Sequence, residues 1–330
     1  MTPIASHITA FFRERLPIEQ AASPHTCSNY AYTFMLLFDF ASKQLKISPS
    51  SLHLEHIDAP LVLDFLEYLE STRANCPSTR NVRLAGIKSF MHFMEYRLPA
   101  ALEQIRAVLA IPLKQTDSKL VQYLTMDEMQ AILDAPDPCT RLGIRDRAML
   151  YVAFACGLRV SELVGLCLDD LTFSPQPGLF VRGKGRKERA LPLWKETASA
   201  LQAWLNVRGN ASVPALFLNA RGEQLTRWGF EHILRKYLKT AARCCSSILH
   251  KRITPHVLRH TCAMTILQAT NDIRKVSLWL GHASVQTSEI YTRTDPMEKL
   301  NAIDAITPPS LRKGTFEPPE RLIALLKQAT

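Results

Sequence analysis

No apolar run of about 18 residues occurs in the chain, although 47% of its 330 residues are hydrophobic. A membrane-spanning helix needs such a run, so a soluble protein is expected. The opening residues, MTPIASHITAFFRERLP, have no basic start and acquire charge within the first turns, which does not fit a secretory signal. The eight cysteines form no C-x-x-C pair, and Cys244 and Cys245 are adjacent. Reduced thiols in a cytoplasmic protein fit that pattern better than a disulfide framework. A carboxylate cluster suited to a catalytic metal is also missing. His256 and His260 stand at the i, i+4 spacing of a zinc helix, but Val257, Leu258 and Arg259 lie between them where a metalloprotease carries Glu. No third ligand stands nearby, so neither metal nor cofactor is expected.

What the chain does have is length and basic charge. Its 330 residues allow two domains, each with a sizeable core. The net charge of +10 and a pI near 9.3 suit a polyanionic partner. Residues 1–113 hold 10 Lys+Arg and 10 Asp+Glu, and residues 114–330 hold the other 30 basic and 20 acidic residues. The whole excess therefore lies in the second part. A basic surface is ordinarily just solvated; it becomes a DNA-gripping face once a phosphate site lies in the same part.

Apolar residues recur at helical spacing through residues 1–113. Phe34, Leu37, Phe38 and Ala41 form one stripe, Val62, Phe65, Leu66 and Leu69 a second, and Ile87, Phe90, Met91 and Met94 a third. They predict a bundle of four or five helices, with Ser78 capping the third. Thr79, Arg80 and Arg83 are expected on the opposite face of that helix, offering hydroxyl and guanidinium groups to phosphates and base edges. Residues 114–122 lose the stripe and read as a linker. The second domain, 123–330, begins near Thr125, which can cap a helix while Glu128 reaches back. The largely apolar Ile144–Ala155 leads to Gly157 and Arg159. LFVRG and ERALPL then read as short strands of a small antiparallel sheet, joined by the turn Lys184-Gly185-Arg186-Lys187. Helices resume at about Lys195–Val207 and Trp228–Ala242. The fold class is mainly α, a helical bundle followed by an α+β domain. An amphipathic segment, Glu320–Ala329, ends the chain and either covers its own domain or docks on a neighbouring protomer.

The chain is organised around Thr254–Tyr291. Thr254 and Pro255 suit the start of a helix, and His256 and Arg259, three residues apart, leave one face of it. Gly281 can end the next helix at Leu280-Gly281-His282, and Ser284 can cap another that carries Tyr291 about two turns in. Taken singly, His282 is an ordinary surface histidine and Tyr291 a packing residue. Together with Arg159 in GLRVSEL and Lys184 in GKGRKERALPL, they form a set suited to attack on a phosphodiester. In this order, Arg159, Lys184, His256, Arg259, His282 and Tyr291, the sequence resembles the tyrosine recombinases, or phage integrase family, and its Xer-like members most of all. The GLRVSEL, GKGRKERALPL, HVLRHT and LGH stretches match in their flanks as well. The resemblance runs from about residue 20 to Tyr291.

It implies a SAM-like core-binding domain clamping DNA, followed by a catalytic domain. It further implies a site-specific recombinase, borne by a mobile element, that joins Tyr291 to a 3′-phosphate and needs no ATP. Arg159 and Arg259 would grip the non-bridging oxygens, with Glu162 orienting Arg159 or a neighbour. His282 would donate a further hydrogen bond, His256 would accept the tyrosine proton and Lys184 would protonate the leaving 5′-oxygen. Arg186 and Lys187 would add DNA contacts. The partners implied are a double-stranded recombination site and further protomers, four of them exchanging strands in pairs, alone or with related recombinases. A type IB topoisomerase, a catalytically silent DNA-binding regulator and a metal nuclease remain as alternatives. Because guanidinium groups stand where a nuclease would hold Mg²⁺, cleavage should survive excess EDTA. Loss of cleavage on chelation, restored by Mg²⁺, would favour the nuclease.

Overall fold

The computed structural model describes residues 2–117, 120–183, 188–209, 213–282 and 284–294. Two compact units divide the chain, Met1–Ser118 and Lys119–Thr330. The first is helical: α1 (Ile4–Ala10) runs into a π-helical turn, Phe11–Glu19, and α2 (Pro24–Leu45), α3 (Ala59–Ser71), α4 (Pro77–Arg97) and α5 (Leu102–Ala110) follow. Its helix starts are written in the sequence. Pro24 opens α2 behind Ser23, whose hydroxyl accepts from the Thr26 N–H, and Asp58 accepts from the Leu61 N–H ahead of α3. At α4 the expected cap is displaced. Cys76 precedes the helix without a side-chain cap bond, and Ser78 already lies inside the first turn after Pro77.

The second and third apolar stripes are buried throughout, as are Phe34, Leu37 and Ala41 of the first, while Phe38 is half-buried. Phe11 is enclosed at the centre of this core. Its ring centroid lies 5.3–6.5 Å from those of Phe12, Tyr30, Phe34, Phe90 and Phe93. One side chain thus joins the N-terminal segment to both α2 and α4, by area burial and by edge-to-face contact.

In the second unit α6 (Met126–Asp134) starts with the reciprocal cap that the sequence predicts. The Thr125 hydroxyl accepts from the Glu128 N–H, and the Glu128 carboxylate accepts from the Thr125 N–H at 2.8 Å. Helix α7 (Arg141–Ala155) is buried along most of its length and packs against α9 (Lys195–Arg208). The short α8 (Val160–Gly165) leads to an antiparallel sheet of β1 (Leu171–Thr172), β2 (Gly178–Arg182) and β3 (Glu188–Pro192). Its register pairs Gly178 with Pro192 and Arg182 with Glu188. Helix α10 (Arg227–Ala241) is tied to α7 by a buried network: Tyr237 donates to Asp146, which also holds Arg145. The last elements among the described residues are α11 (Pro255–Thr270), α12 (Ile273–Leu280) and α13 (Glu289–Thr294). Ser284 caps only a 3₁₀ turn, Val285–Thr287, so Tyr291 belongs to a separate short helix rather than lying two turns into one that Ser284 caps. The terminal segment Glu320–Ala329 lies outside the described residues.

Phe11→Ala should cost the first unit about 3–5 kcal/mol. All four tryptophans, Trp194, Trp204, Trp228 and Trp279, lie in the second unit. Urea unfolding followed by circular dichroism should therefore move to lower urea ahead of the tryptophan fluorescence; coincident shifts would contradict the localisation.

Candidate active site

The site begins where α7 stops. Gly157 turns the chain with φ +55°, and a Cβ there would meet Leu280 at 2.6 Å and Cys262 at 3.0 Å. Both the backbone conformation and the close approach require glycine. The turn delivers Arg159 to the start of α8 with its side chain partly exposed, and Glu162 follows one turn later with its carboxylate buried. That carboxylate receives three guanidinium groups. Arg159 Nη1 lies 2.8 Å from Oε1, Arg189 Nη2 2.9 Å from Oε2, and Arg259 Nη1 3.9 Å from Oε2. The Arg159 N–H donates to Oε2 as well, at 3.0 Å. Burial alone would push the Glu162 carboxyl up. The Arg189 hydrogen bond, the Arg159 N–H and the two positive charges hold it below its ordinary range.

Arg259 leaves the second turn of α11 and is only 5% exposed. Its Nη1 donates to the Gly157 carbonyl at 2.6 Å and its Nη2 to the Leu280 carbonyl at 2.8 Å, which fixes the guanidinium between the ends of α7 and α12. Burial first, and then Arg159, bring its pKa down to about 10, so it stays charged at neutral pH. Gly281 closes α12 with φ +63°, and a Cβ there would lie 3.0 Å from Arg189 Nη1.

Beyond Gly281, His282 is half-buried; its Nδ1 is 2.7 Å from the Ser288 hydroxyl. Its ring stacks on Tyr291 with centroids 6.4 Å apart and planes at 10°. Tyr291 is 1% exposed, and burial raises its pKa to about 12 despite the nearby positive charges of Arg259 and Arg159. The Tyr291 hydroxyl bonds to Nδ1 of His260 at 3.0 Å. Burial, followed by the charges of His256 and Arg259, lowers the pKa of His260 to about 4. His282 falls to about 4 as well, by burial and then Arg259, Arg159 and Arg189.

Four of the six sequence-assigned residues are thus drawn together around Glu162 and Tyr291: Arg159, Arg259, His282 and Tyr291. His256 is exposed at the start of α11 and makes no hydrogen bond among the described residues. Lys184, Arg186 and Lys187 lie outside the described residues. Two participants were not assigned from the sequence. His260 stands out in the sequence only by its zinc-helix spacing from His256, although it directly follows Arg259. Arg189 lies in the ERALPL strand, where its pairing with an acid 27 positions away leaves no local signal.

In the first unit, Arg80 departs from expectation. It is 5% exposed, lies 3.8 Å from Glu70 and donates to the Pro112 carbonyl at 3.3 Å. It sits seven residues before Ile87, two turns along the same helix face, so it extends the core stripe instead of opposing it. Arg83 donates to the Asn29 carbonyl and the Thr33 hydroxyl, each at 3.2 Å, and its guanidinium lies 4.8 Å from the Tyr32 ring centroid. Thr79 is half-buried, with its hydroxyl 3.3 Å from the Cys76 sulfur.

Because the pKa of Glu162 is depressed in the fold, its stabilisation is complete above the unfolded value of about 4.3 and is lost as pH falls through the lower folded value. Glu162→Gln should therefore cost about 3–5 kcal/mol at neutral pH, as expected for breaking a buried ion pair. Urea unfolding at about pH 3 should show that gap closing. A gap of equal size at both pH values would deny the carboxylate this role.

Comparison with known proteins identifies the family. The model of the phage integrase family matches residues 122–298, and that of the phage integrase N-terminal SAM-like domain matches residues 9–97. A putative integrase/recombinase of Sinorhizobium fredii is 42% identical over 323 residues, covering 98% of this chain and 97% of its own. The tyrosine recombinase XerC of Pelobacter propionicus is 32% identical over 321 residues, covering 97% and 100%. Among solved structures, the Tn1549 transposon integrase in complex with circular intermediate DNA aligns with a TM-score of 0.69 at 16% identity, over 93% of this chain and 100% of that one. The XerH recombinase bound to its difH substrate aligns at 0.65 and 24%, over 86% and 80%. With both of its units matched by family models and relatives aligned along nearly its whole length, the chain belongs to the phage integrase family, the tyrosine recombinases.

Proposed function

We propose that the chain is a site-specific DNA recombinase that cleaves and rejoins strands through a phosphotyrosyl link at Tyr291, without metal or ATP. The observation that carries this reading is the arginine group gathered on Glu162 beside Tyr291. Arg159 and Arg259 grip the two non-bridging oxygens of the scissile phosphate. Two N–H groups of Arg259 are spent on backbone carbonyls, which aims the guanidinium and leaves three of its five donors for the anion. His282 gives a further hydrogen bond as charge grows on phosphorus-bound oxygen. Lys184, which lies with Arg186 and Lys187 in the sequence between β2 and β3, protonates the leaving 5′-oxygen. His256, the expected acceptor of the tyrosine proton, lies exposed at the start of α11, three residues before Arg259.

Double-stranded DNA is the partner, and the basic charge of residues 114–330 supplies long-range attraction to it. The first unit, about residues 1–113, clamps one face of the duplex, with 114–122 as linker and 123–330 as the catalytic domain. Arg83 and Thr79 remain candidates for that clamp. The protein works as an oligomer on DNA, four protomers exchanging strands in pairs, alone or with related recombinases, in the cytoplasm of a host to a mobile element. Among the described residues no helix is long and apolar enough to cross a membrane.

Tyr291→Phe should bind DNA as the unaltered protein does and form no covalent adduct on a nicked duplex, since a single oxygen is removed. An adduct persisting in that variant would take the nucleophile's role from Tyr291. Joining of two different duplexes, rather than resealing of one, then distinguishes a recombinase from a relaxing enzyme.

A further inference from the structure

Among the described residues, the hydroxyl of Tyr291 has a single hydrogen-bond partner, Nδ1 of His260, at 3.0 Å. The two rings meet edge to face, with centroids 5.6 Å apart and planes at 60°. His282 lies flat against the tyrosine ring and spends its own Nδ1 on Ser288, so it does not address the hydroxyl. His260 directly follows Arg259 on α11, which places it beside any phosphate that Arg259 holds. In the tautomer that carries its proton on Nε2, His260 offers the Nδ1 lone pair to the Tyr291 O–H. The groups acting on this ring are Arg259 and His256 from its own helix, Tyr291 from α13 and His282 after α12. Burial, and after it the neighbouring charges, keep the ring neutral and able to accept.

We propose that His260, not His256, takes the proton from the attacking tyrosine and returns it when the strand is rejoined. The assignment rests on the recombinase reading above. An electron pair of Tyr291 Oη forms the bond to phosphorus while its proton passes to His260 Nδ1. The bond from phosphorus to the 5′-oxygen breaks, and that oxygen keeps the electron pair and takes a proton from the Lys184 side. In the reverse direction the 5′-hydroxyl attacks and gives its proton back to Lys184, the phosphotyrosyl bond breaks, and Oη recovers its proton from the His260 imidazolium.

The test uses the full chain and a nicked duplex built on the sequence that it selects from a random DNA library. Covalent adduct formation is followed in a single turnover. His260→Gln, which keeps a polar group but cannot take up the proton, should slow cleavage by about 10²- to 10⁴-fold. Replacing Tyr291 with 3,5-difluorotyrosine, whose hydroxyl is far more acidic, should recover most of that loss and none of the loss in His256→Gln. Cleavage by His260→Gln at the unaltered rate or faster would make the hydrogen bond a latch and overturn the proposal. So would an equal deficit with both tyrosines, which marks a packing role, or rescue confined to His256→Gln. If His260→Gln does not fold, His260→Asn is read against the same outcomes. Absence of any adduct in the unaltered chain, with DNA binding intact, sinks the recombinase reading and this assignment with it.

Discussion

The Glu162 carboxylate is the constraint on which the site depends. Three arginines come to it from three separate places, Arg159 at the start of α8, Arg189 in β3 and Arg259 in α11. Without an acid between them, guanidinium groups gathered this closely would repel one another and seek solvent. With it, three positive charges against one negative leave a net charge of +2, fixed in place before any ligand arrives. A phosphodiester carries one negative charge, and its five-coordinate state carries two. The arrangement therefore matches the charge of the crowded phosphorus better than that of the resting strand, which is the condition for lowering a barrier rather than only binding tightly.

Backbone geometry supplies the remaining precision. Arg259 is held by the carbonyl of Gly157, in the turn just past α7, and that of Leu280, the last residue of α12, which has no partner within its own helix. A guanidinium at two helix C-termini sits in favourable field as well as in good hydrogen-bond geometry. The two glycines serve the same end: Gly157 lets Leu280 and Cys262 close against the turn, and Gly281 lets Arg189 lie along the chain. Helix packing and site assembly are consequently one event. A side chain added at either glycine would displace an arginine or a helix end together.

Much of this was legible in the sequence because it rests on local rules. The apolar stripes at Val62–Leu69 and Ile87–Met94, the Thr125–Glu128 cap and the break at Gly281 follow from helical periodicity, capping chemistry and glycine's conformational range. Arg80 was legible too, since its seven-residue offset from Ile87 places it on the buried face; reading its charge before its position concealed this. Other features depend on tertiary approach. The His260–Tyr291 bond spans 31 positions, and Arg189 reaches Glu162 across 27, so no local pattern encodes either. Ser284 misled for another reason: it does cap a turn, but that turn is 3₁₀ and ends before the helix that carries Tyr291.

The buried tyrosine and histidine have one further consequence. Burial opposes the charged form of each, raising Tyr291 to about 12 and lowering His260 to about 4. At about 1.4 kcal/mol for each pKa unit, moving the proton between them unprompted is on the order of 10 kcal/mol uphill. The resting pair is therefore neutral, and on the mechanism proposed above Tyr291 attacks only a phosphate that the arginines hold. A bound phosphate changes both sides of that balance. Its negative charge favours an imidazolium at His260, and bond formation to phosphorus draws electron density from the tyrosine oxygen until its proton is weakly held. Proton transfer then accompanies attack and does not precede it. An enzyme that keeps a strand-breaking group inside a DNA-binding domain needs that coupling, because a free phenolate there would be reactive before the correct strand was in place.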